Sequence, residues 1–280
     1  MLFERISRAI RASAIGDAVG YVFEFDDNPL PSEVLACAPR HKVISDDTQM
    51  TLFTLAALPG ITPSSAKAAF TESYLQWLQT QDGNPNLAKT SHGLLAHPEL
   101  YAQMFPGMTC LSALRSIASG SPVRNNSKGC GSVMRILPLL YLADVFDKST
   151  LIQMAVDSAE VTHHHPANAV AVRQLMEAYY TLLLGGVLEP IDVTGMLGWT
   201  ADECVDMAIN AAATASDFDD LLVKSICHAG DSDSVAAVAA GLWGLTNNFP
   251  DEYYSTIKEK EVIEAALLPY QRKSTTRVTI

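Results

Sequence analysis

Nowhere in its 280 residues does this sequence sustain the period-two alternation of apolar and polar side chains that a half-buried strand requires. Val and Ile fall instead at the three- and four-residue spacing of helix faces, so the pattern predicts an all-α fold. The expected helices begin with residues 3–20, which break into a turn at Gly16 and Gly20, followed by 48–58, stopped by Pro59 and Gly60. A third, 66–79, carries Phe70, Tyr74 and Trp77 on one face, and a fourth spans 111–118. Residues 132–146 read as a mostly apolar helix with Pro138 near its middle; further helices are expected at 149–161, 166–184, 201–214, 218–228, 233–245 and 251–266. The proline-bearing stretch 26–44 and the irregular stretch 80–110 read as loops, the latter around one short helix.

No repeat of fixed period and no linker-like stretch divides the chain, which predicts one compact domain over 1–280, an orthogonal helical bundle. The basic polar end, 271–280, reads as a mobile tail. A chain of this length buries roughly 75% of the surface its unfolded form exposes. Its 48% apolar residues are spread out, with no block long enough to cross a bilayer, and Glu4 and Arg5 interrupt the first apolar turn where a secretory signal would be uncharged. A cytoplasmic location with no membrane partner is the expectation. A net charge of −12, with only 19 Lys and Arg, argues against nucleic acid as a partner. Five widely spaced cysteines without a C-x-x-C pair predict reduced, mostly buried thiols and neither a disulfide framework nor a zinc site.

Two acidic knots stand apart from this background. Ser45, Asp46, Asp47 and Thr48 form one; Gly230, Asp231, Ser232, Asp233 and Ser234 form the other. Each puts two carboxylates and hydroxyls at the start of an apolar helix, with no Lys or Arg inside it. Either knot alone is an ordinary hydroxyl-capped helix start, with acids favoured by the macrodipole. Both together, opening helices expected to be buried, need a source of positive charge. Oxygen-only ligands suit hard divalent cations, magnesium or manganese, and two knots could hold a pair of them.

Asp17 and Glu24 flank Gly20; Glu24, among aromatic residues, is a candidate ligand or base, while Asp17 also reads as a structural cap. Gly129, Cys130, Gly131 and Ser132 precede a predicted helix and offer backbone N–H groups to a phosphate, or simply connect two helices tightly. His163, His164 and His165 stand before Pro166; their spacing sends neighbours in different directions, so they cannot all serve one site. No nucleophile elbow, P-loop or His-Glu-x-x-His motif is present.

Taken in order, Gly16-Asp17-Ala18-Val19-Gly20 with Glu24, Ser45-Asp46-Asp47-Thr48, Gly131-Ser132-Val133-Met134-Arg135 with Pro138, Thr162-His163-x-x-Pro166 and Gly230-Asp231-Ser232-Asp233-Ser234 resemble the ADP-ribosylglycohydrolase family, including the dinitrogenase reductase-activating glycohydrolases. The resemblance spans 14–244. It implies a compact all-α fold and two magnesium or manganese ions at the mouth of a cleft. The implied activity is hydrolysis of the bond joining ADP-ribose to a side chain of a modified protein, arginine-linked in preference to serine-linked.

Carried over by position, the metal ligands fall on Ser45, Asp46, Asp47, Asp231, Asp233 and Ser234, and the catalytic set on Glu24, Asp46 and Asp233. Gly131, Ser132 and His163 become the substrate-binding set. Serine replaces the usual threonine at 45 and 234, keeping the hydroxyl, and the usual Asp-x-Gly motif is blurred around 82–86. Other functions open to the same residues are a catalytically silent ADP-ribose-binding or toxin-neutralising protein, and a binuclear-metal nucleotide phosphohydrolase.

Overall fold

A computed structural model describes residues 2–273. Its α-helices are α1 (Leu2–Gly20), α2 (Pro31–Cys37), α3 (Asp46–Ala57), α4 (Ala66–Asp82), α5 (Met108–Ala118), α6 (Lys148–Ala159), α7 (Pro166–Leu183), α8 (Ala201–Thr214), α9 (Phe218–Ile226), α10 (Ser232–Gly244), α11 (Asp251–Ser255) and α12 (Lys260–Lys273). Short 3-10 helices fill parts of the connections, three of them between Pro85 and Tyr101. The described residues contain no strand, only an isolated parallel bridge between Lys42 and Ile257. The all-α expectation holds. No described helix is long and apolar enough to cross a membrane.

The axis of the structure is the pairing of α1 with α10. From Ser232 to Leu242 every side chain of α10 is buried, and along α1 the buried run from Ala12 to Gly20 is unbroken. Both helices are therefore central rather than amphipathic surface elements. They meet backbone to backbone. A Cβ on Gly16 would lie 2.2 Å from the Ala236 carbonyl oxygen, one on Gly20 2.6 Å from Asp233 Cα, and one on Gly244 2.6 Å from Ala9 Cα. The expected break at Gly16 is consequently not found; α1 runs to Gly20. A glycine inside a helix costs roughly 0.5–1 kcal/mol relative to alanine, and close helix packing repays that here.

Around this pair the apolar side chains form one contiguous core from Ile6 to Leu267, including Phe53, Phe70, Tyr74 and Trp77, all fully buried. The loop before α3 is pinned from the far end of the chain. Lys42 Nζ donates to the carbonyls of Ala38 (2.6 Å) and Tyr253 (2.9 Å), and the Ile44 N–H donates to Glu259 Oε2 at 3.2 Å.

Three other expectations change. Residues 132–146 form no α-helix: 3-10 turns at Cys130–Ser132 and Leu137–Leu142 replace it, because Pro138 lacks the N–H and crowds the preceding turn. The stretch 26–44 contains α2, whose Pro31 occupies the first turn, where a missing N–H costs nothing. The expected helix 251–266 is two helices, α11 and α12. Residues 271–273 continue α12, and the rest of the expected tail lies outside the described residues. All five cysteines are free thiols, Cys110, Cys130 and Cys204 buried and Cys37 and Cys227 half-buried.

Candidate active site

The first knot is a helix start, as its residues suggested. Ser45 is the N-cap of α3, its Oγ accepting the Asp47 N–H at 3.2 Å. A second cap comes from another helix. The fully buried carboxylate of Asp17, on α1, accepts the N–H groups of Ser45 and Thr48 at 3.1 Å and the Thr48 hydroxyl. With the backbone donors so satisfied, Asp46 and Asp47 in the first turn are left for other work. Asp46 Oδ2 accepts one N–H, that of Gly107, at 3.1 Å. Asp47 Oδ2 is buried with no hydrogen-bond partner.

The second knot is built alike. Asp231 caps α10 by accepting the Ser234 N–H at 3.3 Å, and Asp233 Oδ1 accepts the same N–H at 2.9 Å. Gly230 precedes it with φ of 148°, and a Cβ there would strike the Leu197 carbonyl at 1.8 Å. Only glycine permits this approach.

The α1–α10 packing brings the knots together. Ser232 Oγ donates to the Gly20 carbonyl at 2.9 Å, joining the end of α1 to the start of α10. The knots also act on each other electrostatically: the charge of Asp231 raises the Asp47 carboxyl, and that of Asp47 raises Asp233. Glu24 follows one turn beyond α1, half-buried, its Oε2 without a partner. Ser45, Asp46, Asp47, Asp231, Asp233 and Ser234 are all buried. Six candidate ligands and Glu24 are thus gathered at one place, two helix N-termini facing it.

Its electrostatics follow from that density. Burial, then the charges of Asp231 and Asp17, push Glu24 up to about 7. Asp46 is pushed up to about 8 by burial first and by Asp17, Asp231 and Glu24 after it, against the lowering effect of the Gly107 N–H. Asp47 moves far in the same direction from burial and then the charge of Asp46, and Asp233 from burial and then the charge of Asp47. Carboxylates in this state hold protons near neutrality or attract a cation. The donors are all oxygen, and two buried oxygens lack partners, which suits a hard divalent ion. Among the described residues, however, no group of three or more His, Cys, Asp or Glu side chains is arranged so that it could hold a metal ion. The carboxylates share a field without converging on one point.

The substrate-binding candidates lie together in a second cluster. Gly131 packs on His163: a Cβ there would come within 2.8 Å of the imidazole Cε1 and 2.7 Å of Cys110 Sγ. His163 is 2% exposed and its Nδ1 pairs with the Thr162 hydroxyl at 2.9 Å. Burial, and then the charge of Arg135, press its pKa down to about 3, so the ring is neutral. Ser132 is fully buried, its Oγ accepting from Asn168 Nδ2 at 2.8 Å. The 3-10 turn at Cys130–Ser132 lacks the long helix behind it on which a dipole argument for phosphate depended. His165 is the N-cap of α7, accepting the Ala167 N–H at 3.0 Å, and His164 is exposed.

Several contributors have no local signal in the sequence. Gly107 reaches Asp46 from 61 positions away, and Asn168 reaches Ser132 across 36. Arg135 is fully buried, its guanidinium 4.2 Å over the Tyr74 ring and donating to the Ser158 carbonyl and the Thr162 hydroxyl. Asp82, from the blurred motif, is committed to an ion pair with Arg115, with Nε to Oδ2 at 3.1 Å.

The all-helical scaffold is shared with a solved structure described as an ADP-ribosylglycohydrolase-related protein complex. The likeness has a TM-score of 0.68 and 21% identity, and covers 98% of this chain and 99% of that one. The ADP-ribosylglycohydrolase family model matches residues 1–276. This chain belongs to the ADP-ribosylglycohydrolase family, hydrolases that act on ADP-ribose conjugates.

Proposed function

We propose that the chain, acting as one domain over 1–280 in the cytoplasm, is a metal-dependent hydrolase that releases ADP-ribose from a modified side chain of a protein, arginine-linked in preference to serine-linked. The observation that carries this reading is that the two acidic helix starts, joined through the α1–α10 packing, raise one another's carboxylate pKa values and that of Glu24, in a chain of this family. Members of the family are generally metal-dependent. Ser45, Asp46, Asp47, Asp231, Asp233 and Ser234 would hold two magnesium or manganese ions, with the unpartnered Asp47 Oδ2 among the donors. Bound ions supply electrostatic stabilisation of ribose hydroxyls and of an attacking water.

The chain's own residues do the rest. Glu24 orients the water and accepts its proton at the carboxylate, which burial and the neighbouring acids make a better base than an ordinary glutamate. The water oxygen bonds to the anomeric carbon as the bond to the side-chain nitrogen or oxygen breaks. The leaving atom keeps the bonding electron pair and takes a proton from solvent. Asp46 and Asp233 fix the charge that faces the oxocarbenium-like carbon. Asp17 keeps the α3 N-terminus aimed. Gly131, backed by neutral His163, faces the diphosphate, and buried Ser132 holds that loop from behind through Asn168.

The test is release of ADP-ribose from arginine-linked and serine-linked substrates with magnesium, manganese or chelator. Asp46→Ala and Asp231→Ala should lose both release and stabilisation by metal; unchanged turnover in either removes the metal site. Phosphate release instead of ADP-ribose release would favour a nucleotide phosphohydrolase, and ADP-ribose binding without release a silent binding protein.

A further inference from the structure

Beside the carboxylate site lies a second feature made of exposed aromatic rings. Tyr21, Val22, Phe25, Asp26, Asp27 and Phe105 line an open cleft of about 640 Å3. Phe105 is its centre, with ring centroids 5.8 Å from Tyr21 and 5.5 Å from Phe25, the latter edge to face. Phe25 is 69% exposed and Phe105 64%. Large rings clustered in the open are the informative kind of surface hydrophobe. Phe105 is also the one described non-glycine residue with positive φ, at 47°, a conformation a bulky residue adopts only where its surroundings impose it.

The cleft is tied to the carboxylates on both sides. Glu24 immediately precedes Phe25, and the Tyr21 phenol is raised first by burial and then by the charges of Glu24, Asp233, Asp17 and Asp46. The Phe105 loop is held by the bond from the Gly107 N–H to Asp46 Oδ2. Asp26 and Asp27 are exposed at the cleft, and neither 16–39 nor 90–114, the stretches that supply its walls, contains a Lys or Arg. An aromatic cleft rimmed by carboxylates and lacking an internal cation is complementary to a planar, weakly hydrated cation, which stacks on ring faces and pairs with acids.

We propose that this cleft binds the leaving side of the substrate, the guanidinium of an ADP-ribosylated arginine and the peptide around it, and that Phe25, Phe105, Asp26 and Asp27 make the enzyme choose arginine over serine linkages. The proposal rests on the hydrolase function proposed above. A serine linkage presents a neutral oxygen that neither the rings nor the carboxylates favour. An arginine linkage places its cation one bond from the anomeric carbon, next to Glu24, where the cleft begins.

The experiment compares kcat/KM on an ADP-ribosyl-arginine peptide and an ADP-ribosyl-serine peptide of matched sequence, together with equilibrium binding of free ADP-ribose. It uses the full chain and two double variants, Phe25→Ala/Phe105→Ala and Asp26→Asn/Asp27→Asn. All four positions are exposed, so folding is not at stake. Each variant should lower kcat/KM on the arginine peptide about tenfold, with less than about twofold change on the serine peptide or in ADP-ribose affinity. Equal losses on both peptides, or none on either, overturn the cleft's role while leaving the hydrolase function standing. Failure of the unaltered chain to bind ADP-ribose or release it from either peptide overturns the function, and this assignment with it.

Discussion

Gly20 and Asp233 leave no room for a side chain between them: a Cβ on Gly20 would lie 2.6 Å from Asp233 Cα and 2.5 Å from the Ser232 carbonyl oxygen. The end of α1 thus sets how far the second acidic knot stands from Glu24, four residues beyond Gly20. Packing and site geometry are the same contact.

Gly20→Ala should therefore act on both. Overpacking of this kind costs roughly 1–3 kcal/mol. It should lower the melting temperature and, in protein that remains folded, weaken stabilisation by magnesium or manganese. Thermal denaturation with and without metal measures both effects, and an alanine variant with unaltered stability and metal response would contradict the packing argument. Gly60→Ala is a control: its Cβ meets nothing within 4 Å, although φ of 76° carries its own modest strain.

Glu24 and Asp46 have their pKa values raised to about 7 and about 8 by burial and neighbouring carboxylates. A raised carboxylate binds its proton more tightly in the folded state than in the unfolded one. Its contribution to stability is full below about pH 4 and is lost as pH rises through 7 to 8. Metal-free protein should lose stability across that window. Divalent ions compete with those protons, so the rise in melting temperature on adding magnesium should be larger at pH 8 than at pH 6. Melting curves over pH 5.5–8.5 with chelator or metal test this, and a metal shift independent of pH would count against it.

His163 behaves oppositely. Its pKa is depressed to about 3 by burial and by Arg135, so the folded state holds a neutral ring where the unfolded chain would begin to charge below about 6.5. Its contribution is present at neutral pH and lost as pH falls through the unfolded value toward the folded one. Imidazole resonances should show this histidine not titrating above about pH 4, whereas a titration near pH 6.5 would mean that the ring is solvated. His163 should then add no inflection to a pH–rate profile between 5 and 8, and Glu24 becomes the group to look for there.

By itself the sequence determined the fold class and the chemistry of the candidate site. Helical periodicity survives without tertiary context, and hydroxyls and acids before an apolar run mark a helix start wherever the helix goes, as Ser45 and Asp231 do. It also determined that the donors are oxygens, since that is written in the residue types. Tertiary structure decided what depends on contact between distant segments. Gly16 read as a break from local rules, yet it lies inside a helix, packed against the backbone of α10. Asp17 became the cap of a helix 28 residues away, and Gly107 the donor to Asp46. Only the folded chain could set Phe105 against Tyr21 and Phe25 beside the carboxylates, because no spacing in the sequence relates a loop near 105 to the end of the first helix.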